Sequence, residues 1–286
     1  KYLERGFMKK VGLIVEYNPL HNGHLIHIEN AKKLDKDTLL IAVVSGNYTQ
    51  RGELSIISKW EKTLLALNHG IDIVIELPLP FSIMSSDYFS YAAITTLNKL
   101  NIDTVTFGSE TENIKDLEDM ADKLINEDNE FFKKNLKRGF DTKKIINKLL
   151  TKEHILPNDT LAISYIKTIK ENNFNIDYQT YKRDNNYLKS ASNIRNSLGS
   201  ESLLDLVPLD TANILKNKKE VNYFNYLKYK ILSEKERIND YLLVDEGIEN
   251  KILKEIDKST SLDEFINKLI SKRYSKNKVK RTLLCI

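Results

Sequence analysis

The chain has 286 residues, and its 44 lysines and arginines against 40 aspartates and glutamates leave a net charge of +4, so a nucleic-acid role must rest on local clusters of charge. With 41% hydrophobic and 29% charged residues the composition is that of a folded globular protein and excludes a disordered or fibrous one. The single cysteine, Cys285, excludes an internal disulfide or a cysteine-built metal site and fits a reducing cytoplasm. No apolar run approaches the roughly 20 residues that span a bilayer.

Residues 1–7, ahead of Met8, lack the layout of a signal peptide and read as a leader or tag remnant. Val11 to Glu16, Thr38 to Ser45, Asp72 to Glu76 and Asp103 to Phe107 are short runs rich in Val, Ile and Leu, the pattern of buried parallel strands. The stretches between them have helical length. Ser58-Lys59-Trp60-Glu61 has capping-box spacing, and Gly70 sits where that helix should end. The alternation predicts an α/β fold, a doubly wound parallel sheet whose ligands bind at the carboxyl ends of the strands.

Residues 112–150 are charged and read as a helical insertion. Asp159 to Glu171 follows as a helix, Ile176 to Lys182 as a further strand, and Ser190 or Ser192 can cap the next helix. This places the catalytic domain at 8–200. Strand signals fade after Pro208, and Tyr223 to Ile286 reads as several helices, with Ser261 and Glu264 at capping-box spacing. A helical C-terminal domain over 201–286 is therefore expected.

The sharpest chemical signal is Glu16-Tyr17-Asn18-Pro19-Leu20-His21-Asn22-Gly23-His24, directly after the first strand. Free N–H groups and the positive dipole at a helix entrance attract phosphate, Gly23 lets the backbone come close, and the two imidazoles can donate to phosphate oxygens as charge builds. His21 and His24 could instead cap a helix, or join a carboxylate around a metal, although Gly23 suits phosphate better and no third ligand stands nearby. His27 has the spacing of a partly buried helix residue. Ser45 to Gly52 reads as a loop that closes on a ligand or as a polar turn. In Phe107-Gly108-Ser109-Glu110 the glycine either offers bare backbone to adenine or ribose or simply ends a strand. Lys182-Arg183 and the segment from Ser190 through Ser192 to Arg195 supply hydroxyls, N–H groups and guanidinium for a second phosphate grip. Lys272, Arg273, Lys276, Lys278, Lys280 and Arg281 surround Tyr274 with no acid between them, either an RNA-binding helix or a solvated face.

Taken together, the ordered set Val15 to His24, Ser45-Gly46-Asn47, Gln50 to Glu53, Ile75 to Pro78, Phe107 to Glu110, Leu156-Pro157-Asn158, Lys182-Arg183, Ser190 to Arg195, Glu246 to Asn250 and Lys272-Arg273-Tyr274 resembles the bacterial tRNA(Met) cytidine acetate ligases, of the HxGH nucleotidyltransferase superfamily. The resemblance implies a Rossmann-like catalytic domain. It implies that ATP activates acetate to acetyl-adenylate and that the acetyl group passes to N4 of the wobble cytidine of elongator tRNA(Met); Mg2+ is expected to come with the ATP itself. It places the ATP contacts at Ile14, Val15, Glu16, Tyr17, Asn18, Pro19, Leu20, His21, Asn22, Gly23, His24, Leu25, Ile26 and His27, with Gly108, Asn158 and Arg183, while Ser192 and Arg195 belong to the second grip. His21 and His24 would steady the α-phosphate, and Lys272, Arg273, Lys276, Lys280 and Arg281 would hold RNA. No resident metal site is implied. Two features depart from the family. Asp184-Asn185-Asn186-Tyr187 stands where a glycine-rich, histidine-containing stretch is usual, and the chain stops at Ile286 where relatives continue. A small-molecule adenylyltransferase acting on a coenzyme precursor and a noncatalytic, nucleotide-responsive RNA-binding protein remain the alternatives.

Overall fold

A computed structural model describes residues 8–126, 134, 142–150, 155–182, 194–195, 205–216, 218 and 221–286. They fall into two compact units, one drawn from Lys1–Thr49, Ser55–Asn126 and His154–Lys219, the other from Gln50–Leu54, Glu127–Glu153 and Glu220–Ile286.

The first unit is built on a five-stranded sheet. Its strands are β1 (Lys9–Val15), β2 (Thr38–Ser45), β3 (Ile73–Leu77), β4 (Thr104–Ser109) and β5 (Asp177–Lys182). The order is β3-β2-β1-β4-β5 and every pairing is parallel. The connecting helices are α1 (Asn22–Lys32), α2 (Lys59–Asn68), α3 (Leu79–Ser82), α4 (Ser86–Lys99), α5 (Ile114–Asn126) and α7 (Pro157–Glu171), with α8 (Leu209–Leu215) after β5; α6 (Thr142–Leu149) belongs to the second unit.

Strand periodicity explains the layering. Val11, Leu13 and Val15 of β1 and Leu40, Ala42 and Val44 of β2 form one buried cluster with Ile28 and Ala31 of α1, Leu65 and Ala66 of α2, and Ala212 and Leu215 of α8. The intervening residues face the other side, where α4 comes so close that a Cβ on Gly12 would lie 2.9 Å from the Leu97 methyls. On that side α7 packs against α4, α5 and β4. The fold is therefore the doubly wound α/β sheet expected from the sequence. Strand order reverses between β1 and β4. Their outgoing loops diverge there and leave a crevice at the carboxyl edge of the sheet, where such folds bind ligands.

Besides α6, the described residues of the second unit form α9 (Phe224–Ser233), a 3-10 turn (Lys235–Asp240), α10 (Ile248–Glu255), α11 (Leu262–Leu269) and α12 (Lys276–Cys285). Phe224, Leu227, Ile231, Ile248, Ile252, Phe265, Leu269, Val279 and Leu283 fill its core. Among the described residues no helix is long and apolar enough to cross a membrane.

Candidate active site

The β1–α1 turn occupies one side of the crevice. Tyr17 leaves β1 at φ +44°, a left-handed conformation that L-residues adopt only where the surroundings enforce it. Enforcement comes from Asn18, which is buried: its Oδ1 accepts from Ile56 N at 2.8 Å and Ser55 Oγ at 3.0 Å. Its carbonyl accepts from Arg195 Nη1 at 2.8 Å. The guanidinium expected in a second phosphate grip is thus brought onto the backbone of the histidine turn.

His21 is the N-cap of α1, with extended backbone dihedrals, and its Nδ1 accepts from Gly23 N at 3.1 Å while His24 Nδ1 accepts from His21 N at 3.2 Å. This is a capping box with imidazoles in both roles. The sequence reading had the amides at this helix entrance free for phosphate, and the structure corrects that. Asn22 N donates to Leu206 O at 3.1 Å, Gly23 N to His21 Nδ1, and His24 N and Leu25 N to His21 O. The first-turn donors are satisfied from within. A second consequence follows for the rings. Each Nδ1 receives an N–H and so carries no hydrogen of its own, which places the hydrogen of each neutral ring on Nε2. The rings are stacked with centroids 3.7 Å apart, and Tyr17 meets His24 edge-on at 5.0 Å. The two imidazoles are thus stacked at the end of β1, with the His21 ring buried. Gly23 has its own reason: His21 folds back across it, and a Cβ there would lie 2.9 Å from His21 Cε1.

The rest of the turn serves other ends. Val15 and Leu20 are core residues and Ile26 is exposed. His27 is buried, with Nε2 2.9 Å from Thr106 Oγ1 and 3.2 Å from Thr106 O, which ties α1 to β4. The Tyr17 hydroxyl is buried and makes no hydrogen bond among the described residues. Burial first, and the neighbouring Tyr181 second, push its pKa far above the ordinary tyrosine value, so it is present as a neutral O–H.

Across the crevice, β4 ends at Ser109 and α7 begins at Pro157. Glu110 takes the helix entrance: Oε1 accepts from Asn158 N at 3.2 Å and Asn158 Nδ2 at 2.6 Å, and Oε2 accepts from Asp159 N at 2.9 Å. The buried Asp159 carboxylate replies, accepting from Ser109 Oγ at 2.5 Å and Glu110 N at 3.0 Å. Pro157 has no N–H, and Thr160 N donates to Leu156 O, so this helix start is also fully satisfied. Gly108 pairs with Tyr181 across the β4–β5 ladder. Tyr181 lies over it, and a Cβ on Gly108 would stand 2.9 Å from Tyr181 Oη. The bare backbone read as a floor for adenine or ribose is covered by that phenol. Tyr181 in turn packs on His27 at 4.6 Å between ring centroids. Arg183 and Ser190 to Ser192 lie outside the described residues.

In the second unit the basic cluster divides. Lys272, Arg273 and Lys276 are exposed, with Arg273 Nη1 also 3.3 Å from Glu246 O. Tyr274 is buried and donates to Glu246 O at 2.6 Å, which joins the Lys-Arg-Tyr segment to Glu246-Gly247. Lys278 pairs with Glu246 at 2.7 Å and Lys280 with Glu53 at 2.6 Å. Gly52, at φ +77°, lies against the backbone of Lys280 and Arg281, where a Cβ would be 2.5 Å from Arg281 N. The loop read as closing on a ligand therefore packs, at residues 50–54, with α12.

Sequence reasoning missed Glu110, Asp159 and Tyr181 as partners of the expected contacts, and it missed Lys62. Glu110 and Asp159 follow from spacing only when the chain is known to fold back after the insertion. Tyr181 needs the β4–β5 register.

A Rossmann-like sheet with a histidine turn at its reversal point is the architecture of a nucleotidyl transferase. Residues 8–286 match the family model described as HIGH Nucleotidyl Transferase, and the chain belongs to that family, within it to the tRNA(Met) cytidine acetate ligases. It is 35% identical to the tRNA(Met) cytidine acetate ligase of Caldicellulosiruptor saccharolyticus, covering 97% of this chain and 76% of that one. The Staphylococcus aureus protein of the same name is 36% identical, covering 97% and 78%. Among solved structures, Thermotoga maritima TmcAL bound with alpha-thio ATP superposes with a TM-score of 0.87 at 29% identity, covering 97% of this chain and 74% of that one.

Proposed function

We infer that this protein is a tRNA(Met) cytidine acetate ligase. It activates acetate with ATP and passes the acetyl group to N4 of the wobble cytidine of elongator tRNA(Met). The observation that carries the site assignment is the stacked pair His21 and His24, held in a reciprocal capping box at the strand-order reversal.

A carboxylate oxygen of acetate attacks the α-phosphorus of ATP, the bond to the β-phosphate oxygen breaks, and pyrophosphate leaves with its electron pair. Acetate is already ionised near neutral pH, so no strong base is needed. The developing charge lies on the α-phosphate oxygens, and preorganised donors there lower the barrier because they need not reorient as charge builds. His21 and His24 Nε2 fill that role. Gly108, Asn158, Arg183, Ser192 and Arg195 are assigned to the nucleotide by the same reading, and Mg2+ would arrive on its phosphates. In the second step the cytidine N4 attacks the acetyl carbon, AMP departs and N4 loses a proton. Lys272, Arg273 and Lys276 are the cations best placed to hold the RNA backbone, and the reaction belongs to the cytoplasm, where tRNA and ATP are found.

Labelled acetate, ATP and elongator tRNA(Met) test the assignment. Transfer of label to tRNA with release of pyrophosphate is expected, and absence of transfer from the full-length protein would end it. Replacing Lys272, Arg273 and Lys276 by alanine should leave acetate-dependent ATP–pyrophosphate exchange intact. It should also flatten the salt dependence of tRNA binding by roughly one charge per residue removed.

A further inference from the structure

Lys62 lies on α2 and is fully buried, with 0% exposure. Its Nζ donates to Ser45 O at 3.0 Å and Gly46 O at 2.8 Å, the carbonyls where β2 ends. Two carboxylates face it electrostatically, Glu16 just beyond β1 and Glu76 on β3. Glu16 Oε1 is 3.5 Å from Ser45 Oγ, and Glu76 lies against Gly46 while pairing with Lys59 at 2.8 Å. The ends of three neighbouring strands thus converge on one ammonium.

Burying an ammonium costs several kcal/mol unless its hydrogen bonds and charge are answered, and here two carbonyls and two carboxylates answer it. Peptide planarity gives the pinned carbonyls a consequence. Each carbonyl points opposite to the N–H that follows it. Pinning Ser45 O and Gly46 O inward to Nζ turns the N–H groups of Gly46 and Asn47 outward. Two N–H groups turned to the same side can donate to one anionic oxygen. Since β2 is the ladder neighbour of β1, with Val44 opposite Val15, these amides stand at the same sheet edge as the histidine turn.

We propose that Lys62 is a positioning residue for the nucleotide reaction, holding the Ser45–Gly46 carbonyls so that the amides of Gly46 and Asn47 receive an anionic oxygen of a substrate. The oxygen belongs either to the triphosphate or to acetate. The proposal rests on the reading of the chain as an acetate-activating ligase. Burial pulls the Lys62 pKa down to about 8, against the two carboxylates, so the device weakens on the alkaline side.

Lys62→Met and Lys62→Arg in the full-length protein test it, with acetate-dependent ATP–pyrophosphate exchange followed from pH 6.5 to about 9.5, thermal melting, and calorimetric ATP titration. Lys62→Met, assayed well below its melting temperature, should exchange at least about tenfold more slowly, the loss expected of a removed oxyanion support. A raised KM for ATP assigns the oxygen to phosphate, and a raised KM for acetate assigns it to the carboxylate. Wild-type exchange should fall with a midpoint near pH 8, whereas Lys62→Arg, whose charge persists, should stay active through that range. Wild-type rates in Lys62→Met, or identical pH profiles in wild type and Lys62→Arg, would overturn the proposal. If Lys62→Met fails to fold, the Lys62→Arg profile decides alone. Wild type that binds ATP but shows no acetate-dependent exchange would defeat the ligase reading by itself, and ATP affinity in the variants would then decide the role of Lys62.

Discussion

The two helix starts that flank the crevice are capped in opposite senses. At α1 the cap is an imidazole, which spends its Nδ1 on the helix amides and keeps a donor, Nε2–H, on its far side. At α7 the cap is the Glu110 carboxylate, which cancels the positive end of the helix and brings a negative charge to the corner, with Asp159 beside it. Both entrances are closed by their own side chains, the first with imidazoles and the second with carboxylates, and that difference in charge is what separates the two corners.

The hardest test of this asymmetry is His24→Ala. Removing one donor at a developing oxyanion costs about 10²- to 10³-fold in rate, and exchange assays should show that loss with little change in ATP affinity. His21→Asn refines the test, since asparagine is a good N-cap but has no Nε2–H. It should melt like wild type and lose a comparable factor in rate. Equal rates in both variants and wild type would dissolve the distinction between the two corners.

Next in size is Lys62. Its folded pKa, about 8, lies below the ordinary 10.5, so between those values the unfolded chain binds the extra proton and stability rises with pH. At roughly 1.4 kcal/mol per unit, the burial costs at most about 3 kcal/mol below pH 8. Urea unfolding at pH 7.5 and pH 10 should show wild type gaining stability with pH relative to Lys62→Met, by no more than that amount.

Glu110→Gln keeps the shape of the α7 cap and removes its charge. A loss of about 1–2 kcal/mol in urea unfolding is expected from the weakened hydrogen bonds. The uncapped dipole should also make the variant respond more strongly to sulfate than wild type. The smallest effect is expected far from the crevice, where His69 Nε2 meets both Asp210 oxygens at 3.1 Å. Burial alone would raise the Asp210 pKa, but the His69 hydrogen bond and the Thr211 N–H outweigh it and hold it below the ordinary value. That stabilisation is present above the unfolded carboxylate pKa and disappears as pH falls through the folded one. The pair is partly exposed, so His69→Ala should cost under about 1 kcal/mol near neutrality and nothing measurable in strong acid.

The sheet was legible because buried parallel strands are written as unbroken aliphatic runs: Thr38 to Ser45 is β2 to the residue, and Ser58 with Glu61 forms the capping box its spacing announces. The first strand begins two residues earlier than its apolar run, at Lys9, because ladder pairing with Thr38 continues where hydrophobicity does not. The site was legible as residues and less so as roles. Gly23 and Gly108 were read as making room for a ligand, but in the structure they accommodate His21 and Tyr181. An aromatic lying over a cross-strand glycine is a known way to cover bare backbone. Sequence marks where a side chain is missing, not what fills the gap. Lys62 escaped notice for a related reason: a lysine on an amphipathic helix reads as outward, and only the carbonyls at the end of β2 explain why it turns in.

Residues 50–54 are the covalent bridge from β2 to α2, yet they fold with the C-terminal helices, Gly52 against the α12 backbone and Glu53 on Lys280. A fragment ending near Lys219 would carry this bridge without its packing partner. Domain dissection should therefore yield an N-terminal piece with a frayed connection between its second strand and second helix, readily clipped by protease at Arg51.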